Sequence, residues 1–474
     1  MSRFYTPGLV KRSLAAHSWI GLLVGSLMYL ICLSGTLAVF YQEFERWEQP
    51  GVEEYRDYDP GLVQKAYEAF ATTNLQDTEH IHIVLPLPGV PRVVVENDHE
   101  AWFVNQDGTI GQREMPLWTK MLVDLHLYLH LPQTLGLVLV SATGALLCGL
   151  ILSGFLAHPR IVRDAFRLRM GGNRQLQQTD IHNRLSVWGA PFHLIIAVTG
   201  AYFGLASLIV IVVALTFHGG DEEAVIAQVF GAEPELSQEA QLANVGKALD
   251  DLETIAPATA PIFLTVHEPR TSAQFVEIYA EHPGRLIYSE NYRFDAGGNY
   301  LGHAGFSDGP LGKQAIYSTY RLHFGHFGGF WVKALYFVLG MSLTVVSATG
   351  VNVWLAKRKK RDYVNDLWTG FVWGVPFALA LSAAAQIVFG IASTAMFWLA
   401  LLGTAALALY LRDQSNSRTA LQRLTAALIA LLLVGYTIRF GRDAVGPAAL
   451  GINGILLLVA VGFFMTCRRT CSIS

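Results

Sequence analysis

Long apolar stretches separated by polar segments are the first pattern visible along this chain. A helix needs about 20 mostly apolar residues to cross a hydrocarbon core of about 30 Å. Stretches of that kind predict eight spans, at about 14–40, 134–157, 184–217, 331–356, 368–389, 392–411, 424–440 and 448–466. The pattern therefore predicts an all-α polytopic membrane protein with about eight transmembrane helices.

Two long polar segments, about 41–125 and 218–325, interrupt the first four spans. Each begins with a short amphipathic helix, predicted over 60–73 and 237–253. Runs of β-type residues follow at Ile81–Leu85, Arg92–Glu96, Ala101–Asn105, Ile262–His267, Gln274–Tyr279 and Leu286–Tyr288. Glycine turns close both segments, so each is predicted to be a small α+β domain in which a helix packs on an antiparallel sheet.

The two halves of residues 1–356 repeat each other as helix, domain, helix. The matched spacings are 18 residues for His17–Gly35 and His182–Gly200, ten for Gly144–Gly154 and Gly340–Gly350, and 24 for His130–Gly154 and His326–Gly350. So many spacings kept in the same order indicate a tandem duplication.

Composition and charge agree with membrane insertion. Hydrophobic residues make up 52% of the chain and charged residues 15%. The Lys/Arg clusters before span one, after spans two and four and at the C-terminus all fall on one side if the helices alternate. Both termini are therefore predicted in the cytoplasm and both domains outside. The net charge of −3 gives no indication of nucleic-acid binding.

The four cysteines are Cys32, Cys148, Cys467 and Cys471, and none lies in an external domain. No disulfide framework is expected there. The chain also lacks C-x-x-C-H, which excludes a covalently attached c-type haem.

The histidines carry the candidate chemistry. Fifteen occur, and none follows His326. Two bis-histidine b haems in a four-helix bundle need imidazoles on facing helices at two depths. The candidates are His17 and His182 on the cytoplasmic rim, His193 three turns deeper, His126 or His130 at span two, and His323 or His326 at span four.

Each candidate also has a purely structural interpretation. A histidine at a helix end is often only an interfacial polar residue, and His193 could be a hydrogen-bonded core residue. His158 could be a further ligand or a helix cap. Six histidines of the external domains are interpreted as surface or structural residues, with metal contact as the alternative: His80, His82, His99, His267, His282 and His303.

Over roughly residues 10–360 the chain resembles the PepSY-associated transmembrane family, which includes inner-membrane siderophore reductases such as the ferrioxamine reductase. The matching stretches are LAAHSWIGLLVGSLMYLICLSGTLAVFYQEFE, DLHLYLHLPQTLGLVLVSATGALLCGLILSG, DIHNRLSVWGAPFHLIIAVTGAYFG and RLHFGHFGGFWVKALYFVLGMSLTVVSATGVNVWLAKRKK. The helix-start histidines of the family match His17, His126, His182 and His323 as axial ligands, and His130, His193 and His326 stay further candidates. The resemblance implies two b haems, a bacterial inner membrane and reduction of ferric siderophores on the periplasmic face.

This reading divides the chain into eight parts. They are transmembrane helix 1 (1–40), the first periplasmic PepSY-like domain (41–125), transmembrane helix 2 (126–157), a basic cytoplasmic loop (158–181), transmembrane helix 3 (182–217), the second PepSY-like domain (218–322), transmembrane helix 4 (323–356) and a C-terminal four-helix extension (357–474). The extension lies outside the family pattern. It could pack on the bundle, bind quinone or recruit a partner.

The functional hypothesis is electron transfer through the lipid bilayer to a ferric siderophore docked between the external domains. No G-x-G-x-x-G after a strand and no flavin fingerprint is present, so quinol or a separate reductase is the expected donor. Two alternatives stay open: a haem-binding electron-transfer subunit for another periplasmic enzyme, and a haem-free membrane-anchored sensory or inhibitory module. A transporter fits less well, because the repeat is parallel rather than inverted and no carboxylate relay lies within the spans.

Overall fold

A computed structural model describes residues 6–73, 78–167, 169, 173–358 and 360–471, without the side chains of Arg174 and of residues 467–471. It divides into two compact units. The helical unit comprises the chain up to Pro50, Pro116–Leu205 and everything from Phe330 onward. The sheet unit comprises Gly51–Met115 and Ala206–Gly329.

The described residues form sixteen α-helices and eight strands. The helices are α1 (Pro7–Ala38), α2 (Tyr41–Glu48), α3 (Pro60–Thr73), α4 (Leu117–Tyr128), α5 (Gln133–Ala157), α6 (Ile161–Asp164), α7 (Arg174–Trp188), α8 (Ala190–Phe217), α9 (Glu222–Phe230), α10 (Val245–Ile255), α11 (Leu311–Phe324), α12 (Gly329–Lys357), α13 (Tyr363–Phe389), α14 (Ser393–Leu411), α15 (Gln414–Phe440) and α16 (Pro447–Cys471). The strands are β1 (His80–Val84), β2 (Val94–Asn97), β3 (Ala101–Val104), β4 (Ile110–Arg113), β5 (Ala260–His267), β6 (Phe275–Glu281), β7 (Glu290–Asp295) and β8 (Tyr300–Ala304).

Eight of these helices are long and apolar enough to cross a membrane: α1, α5, α8 and α12 to α16. The eight predicted spans are thereby confirmed. Transmembrane helices 2, 3 and 4 begin later than the predicted domain boundaries, because a separate helix precedes each of them. The span set at 126 begins at Gln133, that set at 182 begins at Ala190, and that set at 323 begins at Gly329.

The breaks before these spans have local causes. Leu129 and His130 both adopt a φ of 56°, in the left-handed region, and Pro132 then caps α5. Before α12 the left-handed residues are Gly325 and Gly329, with φ of 72° and 60°. Glycine takes this conformation without steric cost, whereas Leu129 and His130 do not.

Helices α1, α5, α8 and α12 share one small core, formed by Val24, Met28, Leu147, Ala197 and Leu343. Two repeat-equivalent glycines allow the helices to approach closely. A Cβ on Gly144 would lie 3.0 Å from the backbone nitrogen of Ala201, and one on Gly340 would lie 2.6 Å from Thr36 Oγ1. These glycines therefore serve helix packing, as small residues commonly do in membrane bundles.

The C-terminal helices belong to the helical unit rather than to a separate domain. A large apolar core joins α13 to α16 with α1, α2 and α4. The Tyr29 hydroxyl donates to the carbonyl of Val372 at 2.7 Å, and Trp118 Nε1 donates to Ser382 Oγ at 3.1 Å. Of the roles considered for the extension, packing on the bundle is the one that these contacts bear out.

The sheet unit contains one antiparallel sheet of eight strands in the order β4-β3-β2-β1-β5-β6-β7-β8. The two predicted α+β domains are joined through β1 and β5, where His80 pairs with His267 and Val84 with Phe263. Helices α3 and α10 pack on one face of this sheet over a common core. A small antiparallel sheet region with a packed helix in each half is consistent with a PepSY-like domain.

The strand predictions were partly wrong. Leu286–Tyr288 is not a strand, since the Tyr288 amide bonds to the carbonyl of Tyr317 in α11. Strands β4, β7 and β8 were not predicted. Strand β7 carries the polar residues Glu290, Asn291 and Arg293 among its apolar ones, which obscures the alternation by which strands are recognised.

Candidate haem site

His17 on α1 and His182 on α7 face each other in the helical unit. Their ring centroids are 6.1 Å apart and their planes are nearly perpendicular, at 83°. An imidazole nitrogen binds a first-row metal ion at about 2 Å, so two imidazoles on opposite sides of one ion have centroids roughly 6 Å apart. The observed separation matches that geometry.

The same backbone contact orients both rings. His17 Nδ1 donates to the carbonyl of Leu150 at 3.0 Å, and His182 Nδ1 donates to the carbonyl of Val346 at 3.0 Å. A carbonyl oxygen only accepts, so Nδ1 carries the proton in both residues. Nε2 is then the nitrogen with the lone pair, which is the form of neutral imidazole that ligates a metal.

Glycine and a hydroxyl complete each contact. Ser153 Oγ lies 3.3 Å from His17 Nδ1, and Thr349 Oγ1 lies 3.3 Å from His182 Nδ1. The next residue in each case is glycine. A Cβ on Gly154 would lie 3.2 Å from His17 Cε1, and one on Gly350 would lie 3.3 Å from His182 Cε1. The pairs Ser153-Gly154 and Thr349-Gly350 therefore hold the two rings in place.

Both histidines line a cavity of about 520 Å³. Its walls come mostly from apolar side chains of α1, α5 and α12, including Leu14, Leu22, Val24, Met28, Leu147, Ile151, Leu343 and Val353. Gly21 and Gly25 also line it. An apolar cavity of this size with a few polar groups suits a cofactor, for which pockets of about 300–1,000 Å³ are usual.

A haem would ask fewer ligands of the protein than a bare metal ion would. Among the residues that the structure describes, no three His, Cys, Asp or Glu side chains are arranged to hold a metal ion. A porphyrin brings four equatorial nitrogens of its own and leaves only two axial positions to the protein. His17 and His182 fit that requirement.

His193 lines the deep end of the same cavity and is only 2% exposed. Its Nε2 lies 3.1 Å from Ser342 Oγ, whose own proton goes to the carbonyl of Leu339 at 2.8 Å. Ser342 therefore accepts from His193, and Nε2 carries a proton. This contact supports the interpretation of His193 as a hydrogen-bonded core residue.

His158 follows α5 and also lines the cavity. Its Nε2 lies 3.6 Å from the carboxylate of Asp164. The interpretation as a polar residue at the helix end fits that contact.

His126 lies in the last turn of α4 and has the same kind of contact as His17 and His182. Its Nδ1 donates to the carbonyl of Ile31 at 3.0 Å, and a Cβ on Gly35 would lie only 2.4 Å from its Cε1. Carbonyl and glycine are again four residues apart. Glu48 positions α4, because its carboxylate accepts from the amides of Trp118 and Thr119 at 2.9 and 2.6 Å.

His130 is held by two hydrogen bonds. Its Nε2 donates to the carbonyl of Met121 at 2.8 Å, and its Nδ1 accepts from Trp398 Nε1 at 2.9 Å. Both ring nitrogens of His130 are thus engaged in hydrogen bonds, which argues against a role as a metal ligand. His130 instead connects the turn before α5 to α14 of the C-terminal extension.

His323 and His326 belong to the sheet unit. His323 ends α11 beside Phe324, with ring centroids 5.7 Å apart. His326 packs against Tyr320 and Phe324 at 6.1 and 5.8 Å. Their roles as ligands stay predictions from the repeat.

The sequence identified the histidines but not the groups that orient them. Backbone carbonyls have no signature of their own, so the acceptors Leu150, Val346 and Ile31 could not be named. The available signal was the repeated glycine spacing of these helices, which does not say which residues the glycines contact.

Comparison with known proteins agrees with the arrangement of helices and sheet. The family model described as the PepSY-associated TM region matches residues 14–357. An uncharacterised protein of Pseudomonas aeruginosa is 27% identical over 280 residues, which cover 55% of this chain and 70% of that protein. The family match extends over more than half of the chain and includes all seven candidate histidines. This chain therefore belongs to the family of the PepSY-associated TM region, a family of membrane proteins.

Proposed function

We propose that this protein is a di-haem b oxidoreductase of the bacterial inner membrane. It takes electrons from a quinol or a separate reductase on the cytoplasmic side and passes them to a ferric siderophore on the periplasmic side, which releases Fe(II). The observation that carries the proposal is the His17–His182 pair, with centroids 6.1 Å apart beside an apolar cavity of about 520 Å³. When bound, b haem supplies reversible one-electron transfer at its iron.

His17 and His182 are the proposed axial ligands of the cytoplasmic-side haem. Their Nδ1–H groups donate to carbonyls, which fixes the ring orientation and makes Nε2 a more basic ligand. With a haem bound, the more basic ligands would favour the ferric form of its iron. The apolar walls exclude water from the site.

His126 and His323 are the proposed ligands of the outer haem. What supports His126 is its contact with Ile31 and Gly35, which reproduces the arrangement at His17 and His182. His323 is assigned from the repeat and from the family resemblance.

The ferric siderophore is proposed from the resemblance to siderophore reductases. Hard oxygen donors hold Fe(III) far more tightly than Fe(II), so one-electron reduction releases the metal. The chemistry requires no protein nucleophile.

The test is a visible spectrum of the full-length protein, purified in detergent from haem-replete cells, before and after dithionite. A pyridine haemochrome assay gives the stoichiometry. We expect a sharp reduced α-band of b type and two haems per chain. The dithionite-reduced protein, freed of excess reductant, should then be reoxidised by ferrioxamine, and a chromogenic Fe(II) chelator should report the released metal.

Each other result selects one alternative. Two haems without reoxidation by ferric siderophores would favour an electron-transfer subunit for another periplasmic enzyme. A colourless protein would overturn the haem proposal and favour a membrane-anchored sensory or inhibitory module.

A further inference from the structure

The sheet unit carries a cluster of imidazoles on the face of the sheet opposite α3 and α10. Strand β1 alternates, so Ile81 and Ile83 enter the core under the helices while His80 and His82 point to the other face. On β5, His267 pairs with His80. We call His80, His82 and His267 the histidine face.

The three rings lie close together. The ring of His80 is 4.9 Å from that of His267 and 5.7 Å from that of His82, measured between centroids. His267 stacks on Phe275 at 4.2 Å with an angle of 3° between the planes, which fixes its ring against the sheet. Three imidazoles from two adjacent strands therefore meet in one patch.

Carboxylates and a hydroxyl surround these rings. Glu96 on β2 pairs with His82, and cross-strand neighbours have Cβ atoms about 4.5–5.5 Å apart. Thr265 Oγ1 lies 2.9 Å from His82 Nδ1. Glu277 Oε2 lies 3.6 Å from His267 Nε2, longer than a hydrogen bond.

His267 has an unusual feature for a structural histidine. Its Nε2 is buried and makes no hydrogen bond within the described part of the chain, and it faces the Glu277 carboxylate at 3.6 Å. Leaving such a nitrogen unpaired costs free energy, so a buried imidazole usually finds a partner. With the imidazoles of His80 and His82 beside it, this nitrogen is placed where it could bind a cation together with them.

We propose that His80, His82 and His267 bind a divalent transition-metal ion, with the carboxylate of Glu96 as an oxygen ligand at its edge. Imidazole suits zinc, copper, nickel and ferrous iron, whereas magnesium and calcium prefer oxygen ligands alone. As the described side chains stand, no three of them converge on one metal position. Binding therefore requires the half-buried rings of His80 and His82 to turn towards His267.

Glu277 is better suited to support than to ligation. Arg293 Nε donates to its Oε1 at 2.8 Å and the Tyr279 hydroxyl to its Oε2 at 2.5 Å. Its carboxylate is thus occupied, and it adds negative charge beside His267. The site is argued from the imidazoles and is independent of haem. Only its possible occupation by Fe(II) as a released product rests on the proposed function.

Zinc is the probe for the test, and the full-length protein in detergent carries an affinity tag without histidines. Equilibrium dialysis followed by atomic absorption measures bound zinc per chain. We expect one saturable zinc site per chain. Its affinity for zinc should fall by about tenfold or more in His80→Gln and in His267→Gln. The control is His303→Gln, an exposed histidine on the edge strand β8, which should bind zinc like the wild type.

Haem content and thermal midpoint are recorded for every variant. The proposal is overturned if the wild type binds no saturable zinc, or if His80→Gln binds it as tightly as the control. Should His267→Gln lower the thermal midpoint, His80→Gln decides alone, because the ring of His80 is half-buried and its loss leaves the core intact. A haem-free protein that still binds zinc at this face would refute the proposed function and leave this site standing.

Discussion

A neutral histidine ligates a metal through the nitrogen that carries no proton, so the partner of the other nitrogen decides what the residue can do. His17 and His182 each give their Nδ1 proton to a carbonyl, which leaves Nε2 for a ligand. His130 has one nitrogen on the carbonyl of Met121 and the other on the indole of Trp398. Histidines that look alike in the sequence therefore differ in their ability to bind a metal, because their ring nitrogens have different hydrogen-bond partners.

A methyl group on Gly35 tests this orientation at His126. In Gly35→Ala the new Cβ would lie 2.4 Å from His126 Cε1 and 2.7 Å from Nδ1, distances that real side chains do not reach. The ring must move, and its bond to the carbonyl of Ile31 is lost. Under the proposed function, haem content should fall from two towards one per chain in the pyridine haemochrome assay.

The matched control is Gly149→Ala on α5, where an added Cβ meets no atom within 4 Å. It should keep two haems and the wild-type spectrum. Equal haem content in both alanine variants would show that the ring of His126 does not hold a cofactor.

Acid should destabilise the sheet unit through Glu277. Burial opposes the charge of this carboxylate, but His267, Tyr279 and Arg293 together lower its pKa from 4.5 to about 2. A carboxylate whose pKa is depressed on folding stabilises the fold above the unfolded pKa, and this contribution of about 3 kcal/mol is lost as pH falls from about 4.5 towards 2. The thermal midpoint in detergent should therefore drop steeply across this range.

Glu277→Gln removes the anionic partner of Arg293, whose guanidinium keeps its hydrogen bonds to the carbonyls of Ala232 and Phe230. We expect a lower thermal midpoint at pH 7 and a shallower decline below pH 4.5. Glu239→Gln, at an exposed position, should behave like the wild type. A Glu277→Gln protein with the wild-type midpoint and pH dependence would contradict the assignment.

At the scale of elements, the sequence predicted the helices better than the strands. Eight apolar stretches became eight long helices, because each must satisfy its backbone hydrogen bonds internally in a membrane. Helix α3 occupies the predicted range Pro60–Thr73, while the helix predicted over 237–253 is α10, Val245–Ile255. Strand β7 was missed because polar residues interrupt the apolar alternation by which strands are recognised.

The sequence predicted the candidate ligands of the site but not the groups that orient them. Histidine spacing singled out His17 and His182, and the structure brings them to 6.1 Å. The predicted span at 134–157 already began after Pro132, but the left-handed conformation of Leu129 and His130 between α4 and α5 could not be foreseen from residues of these types. The same applies to the role of Trp398, which lies 268 residues beyond its partner His130.

Trp47 ties α2 to the C-terminal helices and should be important for stability. It is 1% exposed, stacks on Tyr436 at 5.1 Å and donates to Asn453 Oδ1 at 2.9 Å. Trp47→Ala removes this packing and leaves a cavity, which costs about 3–5 kcal/mol for a buried tryptophan. We expect a clearly lower thermal midpoint in detergent.

Trp19→Ala is the control, because Trp19 is 76% exposed on α1. It should change the midpoint little. If Trp47→Ala were as stable as Trp19→Ala, the C-terminal helices would not be anchored through α2.

In the whole molecule, the duplication supplies two equivalent halves of one site. His17 meets Leu150, Ser153 and Gly154, and His182 meets Val346, Thr349 and Gly350 at the same offsets. A helix from each repeat thus offers one imidazole, and each ring rests on the last membrane-spanning helix of its own repeat, α5 for His17 and α12 for His182. A flat group between the two rings would be held in the same way from either side.

Two ligands of one haem must act as a unit, and this is the strictest test at the scale of the whole protein. His17→Ala and His182→Ala should each lower the haem content from two to one per chain, and the double variant should also retain one. Their effects are not additive, because either loss already removes the same haem.

His130→Gln, which loses only two hydrogen bonds, should keep both haems. In proteoliposomes, the two alanine variants should stop electron delivery from the cytoplasmic side equally, while dithionite added on the opposite side still reduces the remaining haem. A double variant without any haem would mean that His17 and His182 serve different haems, and single variants with two haems would mean that neither is a ligand.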